Sequence, residues 1–216
     1  MMSEIKDLDI FILAYKNFKE IVKNDSYKVI CCKDEKIDTT LTTIYDINSQ
    51  TNEETITEWN DFYSELSMVY WMYKNYNAKK YIGICQYRRY FNFLDEIPNM
   101  DDIFKNNDVI MPFPLVLTLN VKQHYEKFHN IKDLNLVGEI IDEKYPTFKQ
   151  SFDFILNNRF LYPCNMFIMK TEDFKKYCET CKHKDVDEVK DPCNECLESP
   201  VNDNSKKPVK YEEKVK

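Results

Sequence analysis

Tyr81-Ile82-Gly83-Ile84-Cys85-Gln86-Tyr87-Arg88-Arg89-Tyr90-Phe91 holds the step from core to surface chemistry in this chain. Its first five residues form a short apolar run that reads as a buried strand. The remainder interleaves aromatic rings with two arginines, a composition suited to a ligand-facing strand end. Just upstream the period changes. Phe62, Leu66, Val69, Tyr70 and Tyr73 recur at three- and four-residue steps, so Asn60 to Tyr76 reads as an amphipathic helix capped by Asn60 or Asp61.

Similar runs lie on either side. Asp9 to Tyr15 reads as a buried first strand and Lys28 to Cys32 as a second, followed by a polar, threonine-rich stretch over 33–58. Asp108 to Met111 reads as a strand ended by Pro112 and Pro114. Val121 to Phe128 and Leu134 to Tyr145 read as helices, Pro146 as a helix start with Phe148 to Leu156 continuing. Asn165 to Met169 reads as a late strand and Thr171 to Tyr177 as a short helix. Strands alternating with helices imply an α/β fold around a mostly parallel sheet. In such sheets ligands sit outside the carboxyl ends of the strands. Three places then carry suitable side chains: Tyr15-Lys16, Gln86 to Tyr90, and Asn165.

Glycine is scarce. Gly83 and Gly138 are the only two in 216 residues, whereas phosphate-binding loops and dinucleotide fingerprints need several at fixed spacing. Both readings drop out. The net charge of −7 argues against a general nucleic-acid binder, which would need a basic face. No apolar run reaches transmembrane length and the first residues lack a signal-peptide core, so a cytoplasmic protein is expected.

Toward the C-terminus, Cys178-x-x-Cys181 and Cys193-x-x-Cys196 stand eleven residues apart. Two such knuckles place four thiolates at the right separation for one structural zinc, a closed site with no open position for substrate. In a reducing compartment this reading precedes disulfides. The segment holds eight lysines against ten acids, so it reads as a structural cap or a surface for a protein partner. The expected organisation is a body over 1–177 and a zinc module with a flexible tail over 178–216. Cys31, Cys32, Cys85 and Cys164 fall on or beside apolar runs and read as free cysteines.

Three stretches together resemble a known family: Phe62 to Leu66 with Tyr70 to Asn75, Tyr81 to Phe91, and Asn165 to Met169. They are similar to domain-of-unknown-function family 4422, found in capsular and exopolysaccharide gene clusters and treated as glycosyltransferase-like. The resemblance covers about residues 8–177. It implies a GT-A-like fold and a transferase that moves a sugar from a nucleotide-sugar donor to a glycan or other hydroxyl acceptor. It departs from the family at Gln86 and Tyr15, where histidine is usual, and in the cysteine-rich tail. That tail resembles short cysteine-rich proteins of phage genomes, which fits a phage-encoded protein in a host cytoplasm. The departures keep two alternatives in view: a catalytically degenerate sugar- or nucleotide-binding domain, and an interaction factor acting through its zinc module.

Under that resemblance Tyr15 and Lys16 border the nucleotide, Arg88 and Arg89 face the diphosphate, and Asn165 meets the sugar, with Gln86 and Tyr87 as further substrate-binding residues. Arginine forks bind phosphate oxygens in pairs and keep their charge, so arginine is expected to neutralise the leaving group. Glu65 is a partner for an arginine or a base toward an acceptor hydroxyl. Manganese or magnesium would need an acidic pair after a central strand. Asp7-x-Asp9, Asp101-Asp102 and Asp185-x-Asp187 stand elsewhere and read as structural or solvated. His124 and His129, five apart, do not share a helix face at metal spacing.

Overall fold

The computed structural model describes residues 4–19, 24–32, 37, 44–47, 54–93 and 98–179. In chain order the elements are β1 (Leu8–Leu13), β2 (Tyr27–Cys31), β3 (Ile44–Asp46), α1 (Asn60–Tyr63), α2 (Glu65–Asn75), β4 (Tyr81–Gln86), α3 (Met100–Ile103), β5 (Val109–Ile110), β6 (Leu115–Val116), α4 (Val121–Phe128), α5 (Ile131–Lys144), α6 (Lys149–Asn157), β7 (Phe160–Leu161), β8 (Phe167–Lys170) and α7 (Thr171–Glu179). They divide into two compact units. One holds the described residues up to Val109 and from Ile168, and the other holds 110–167.

The first unit is built on a six-stranded sheet of order β3-β2-β1-β4-β8-β5. Its centre is parallel, with β1 pairing β2 from Ile10↔Tyr27 to Leu13↔Ile30 and β4 from Leu8↔Tyr81 to Leu13↔Gln86. All six residues of β1 are buried, as a strand covered on both faces requires. On one face Phe11 meets Tyr45, Trp71 and Tyr76, with ring centroids 4.8–6.5 Å apart. On the other, Tyr81 stacks on Phe104 at 4.9 Å. Asp9 is buried inside β1, where Tyr76 donates its hydroxyl to Oδ2 and Lys28 stands 3.9 Å from Oδ1. Burial pushes the Asp9 carboxyl above the usual carboxylate range, against the pull of Tyr76 and Lys28.

The expected single helix over 60–76 is broken in two. Ser64 adopts φ 49°, ψ −124°, ending α1 before α2 begins. The break turns the buried face of α2 to Ser67, Met68, Val69, Trp71 and Met72. Leu66, expected on the apolar stripe, is 51% exposed. A 3-10 turn over Thr57–Trp59 also precedes Asn60, so the helical entry starts earlier than the expected cap.

The 110–167 unit pairs β6 with β7 antiparallel across three intervening α-helices, a long-range contact that two-residue strands left invisible to pattern reading. Helices α4, α5 and α6 bury no residue fully. Asn120 caps α4 in a reciprocal capping box with Gln123, and Asn130 caps α5. That second cap starts α5 three residues before the expected Leu134. At Gly138 an added Cβ would lie 3.2 Å from the Phe152 ring, so a methyl there would press on α6 by a few tenths of an ångström.

Candidate functional site

The strand order reverses at β1. The chain runs outward through β2 and β3 on one side, then returns to lay β4 on the other. Such a switch opens a crevice at the carboxyl ends of the two central strands. Tyr15 and Lys16 follow β1, and Tyr87 and Arg88 follow β4. The backbone closes a turn there, Arg89 N–H donating to the Gln86 carbonyl at 2.9 Å.

Four of the expected site residues meet in this crevice. The Tyr15 and Tyr87 hydroxyls share a hydrogen bond of 3.0 Å, and their rings meet edge to face at 5.1 Å. Lys16 Nζ lies 5.7 Å from both ring centroids, and the Arg88 guanidinium sits 4.9 Å from the Tyr87 ring. These are cation–π distances. The hydrogen bond to Tyr87 pushes the Tyr15 phenol upward. The same bond, with Arg88 and Lys16 nearby, pulls the Tyr87 phenol below its ordinary value. Tyr87 is buried, while Tyr15, Lys16, Arg88 and Arg89 are exposed. The cluster is a positively charged rim on an aromatic base.

Beside it lies a cleft of about 70 Å³ lined by Leu13, Ala14, Tyr15, Cys32, Asn60, Ser64, Glu65, Met68 and Gln86. Strand ends supply its apolar floor, and the broken helix supplies its polar wall. Gln86 Nε2 donates to Glu65 Oε2 at 2.8 Å. Glu65 is thus held by the residue at a position where the resemblance leads one to expect histidine. Asn60 and Ser64 were not picked out as site residues beforehand. Nothing in the sequence reveals a serine at positive φ, because glycine is the usual marker of such a position.

The remaining expected residues fall elsewhere. Asn165 lies in the 110–167 unit, half-buried at the bend before β8 and beside Cys164 at φ 64°. Asp9 and Asp101 both stand near the amino ends of strands. Asp101 takes hydrogen bonds from Lys80 and the Tyr81 hydroxyl, at the start of β4. Asp185 and Asp187 lie outside the described residues. So do Cys181, Cys193 and Cys196, while Cys178 falls in the last turn of α7, which runs two residues beyond the expected helix. No group of three or more potential metal ligands occurs among the described residues. Cys31 and Cys85 are buried, and burial pushes the Cys31 thiol up to about 11 and the Cys85 thiol further upward. His124 and His129 pack against Phe128 and Tyr125.

The sequence profile of DUF4422, described as a domain of unknown function, matches residues 9–186. The chain belongs to the DUF4422 family. Among solved structures, the fold is similar to that of WbbM, described as a bifunctional glycosyltransferase in its apo state, with a TM-score of 0.62 at 21% identity. The alignment covers 81% of this DUF4422 chain and 35% of that one, so the chain spans about a third of the WbbM length. No curated protein matches by sequence. No helix among the described residues is long and apolar enough to cross a membrane.

Proposed function

We propose that this DUF4422 protein transfers a sugar from a nucleotide-sugar donor to a hydroxyl of a glycan or similar acceptor. The observation that carries the reading is the cluster of Lys16, Arg88, Tyr15 and Tyr87 at the β1–β4 switch. An acceptor hydroxyl oxygen attacks the anomeric carbon and gives up its proton to solvent, the bond to the phosphate oxygen breaks, and the nucleoside diphosphate leaves with the electron pair. Negative charge grows on the departing diphosphate. Arg88 and Lys16, with Arg89 next in the turn, supply fixed positive charge for it. Tyr15 offers a half-exposed ring beside the nucleotide. The four-cysteine structural zinc belongs to the same proposal. The fold shared with WbbM supports the class of reaction and leaves sugar and acceptor to experiment.

A binding domain without turnover is the second reading, favoured by Gln86, whose amide is engaged with Glu65. A thermal-shift series with nucleoside diphosphates and nucleotide-sugars, with and without manganese, tests the donor site. Zinc content is measured on the same sample. Stabilisation lost in Arg88→Ala supports a diphosphate site, and transfer of labelled sugar separates enzyme from binder. A folded, zinc-loaded protein that no nucleotide stabilises overturns the reading.

A further inference from the structure

We propose that the Glu65–Gln86 pair is a clamp for a vicinal diol and holds the ribose of the nucleoside diphosphate. The inference rests on the donor-site reading above.

The argument begins with what the cleft offers. Gln86 donates to one Glu65 oxygen, which leaves Glu65 Oε1 and Gln86 Oε1 outside that bond as acceptors. Carboxylate and amide oxygens accept and do not donate. The Asn60 side-chain amide makes no hydrogen bond among the described residues, and the Ser64 hydroxyl does not cap α2. Two acceptor oxygens thus stand beside an amide and a hydroxyl that both donate and accept, and a good complement carries adjacent groups that do both. A vicinal diol does so, since each of its hydroxyls both donates and accepts. Size points the same way. A cavity of ~150 Å³ holds a benzene-sized ligand, and this cleft has about half that volume. Its enclosed part suits the hydroxyl edge of a furanose better than a whole base.

The backbone adds an independent sign. Ser64, immediately before Glu65, sits at φ 49°, ψ −124°, outside the left-handed well that asparagine and aspartate tolerate. Such positions cluster at ligand clamps. Without this break the helix would run on and turn Glu65 to a different azimuth. A purely structural role for Glu65, as an acid in the first turn of α2, calls for neither the cleft nor the strained turn.

The test compares each ribonucleoside diphosphate with its 2′-deoxy and 3′-deoxy counterparts by calorimetry, in the full chain and in Glu65→Gln. The helix and its circular dichroism serve as the folding control. The expected result is a preference for the ribose form of about tenfold or more, the scale of one charge-assisted hydrogen bond, falling toward unity in Glu65→Gln. Equal binding of ribose and deoxyribose forms overturns the clamp and leaves the donor site standing. So does a preference that persists in the variant. Dependence on Glu65 seen only with nucleotide-sugars, not with diphosphates, assigns the diol to the transferred sugar and also overturns it. Absence of any nucleotide binding overturns both the clamp and the function on which it rests.

Discussion

In the sheet unit every residue of β1 is buried, while in the 110–167 unit α4, α5 and α6 bury none. Met166 is the one buried residue between 110 and 167. The large exposed apolar side chains show the same contrast. Phe113 at 95%, Phe154 at 72% and Val116 at 68% all belong to the second unit. Its charge also differs, six basic against six acidic residues within a chain of net charge −7. One unit is held by burial of β-branched and aromatic side chains. The other leans on polar devices: the Asn120 capping box, the Asn130 cap, and the Asn158–Arg159 links to Phe154, Leu117 and Val121. A rigid sheet can fix side chains at its strand ends, and the cationic rim sits there.

The contrast is broken most directly by paired truncations. Phe11→Ala should lower stability by about 3–5 kcal/mol, because its ring meets three others inside the sheet unit. Phe113→Ala should stay within about 0.5 kcal/mol. Urea unfolding measures both. A large loss at Phe113 would show that the second unit hides a core of its own. The next effect is functional. Arg88→Ala should reduce sugar transfer by about 10²-fold with an unchanged unfolding midpoint, since Arg88 is exposed. Lys122→Ala, an equal loss of charge in the second unit, should leave transfer unchanged.

Smaller effects sharpen the picture within the sheet unit. Ser64→Gly should raise stability by up to about 1–2 kcal/mol, relieving a positive φ that costs about 1–3 kcal/mol less the chain entropy of glycine. Thermal unfolding reads this directly. No gain would mean that Ser64 is not strained. The smallest expected effect concerns Asp9. Its folded pKa is raised by burial, so the folded state binds its proton more tightly than the unfolded chain. The sign follows from linkage: the penalty of the buried charge is present above the folded pKa and fades as pH falls through it. The stability of the wild type relative to Asp9→Asn should therefore rise on acidification from neutral pH. A fall would mean that Lys28 and Tyr76 outweigh desolvation.

Much of the sheet was legible because buried strands announce themselves. The runs at 9–15, 28–32 and 81–85 became β1, β2 and β4 within a residue or two. The turn after β4 was legible too, because an apolar run that gives way to aromatic and arginine residues marks where a buried strand reaches the surface. The cleft was not. Its wall depends on a helix break at Ser64, and the apolar periodicity of 60–76 runs across that residue without interruption. The role of Asp9 was hidden for a similar reason. A carboxylate at the head of an apolar run looks like a solvated flank until Tyr76 folds onto it from sixty-seven residues away.

The sequence by itself determined the alternation of strands and helices, the absence of glycine-rich phosphate loops and the place of the aromatic–arginine turn. These follow from side-chain period and composition, which are local. Tertiary structure alone decided that β4 returns beside β1, so that Tyr15 and Tyr87 share a hydrogen bond across seventy-two residues. It also decided that Gln86 holds Glu65 over a cleft. Strand order and a single backbone torsion set these contacts, and neither leaves a mark in hydrophobic periodicity.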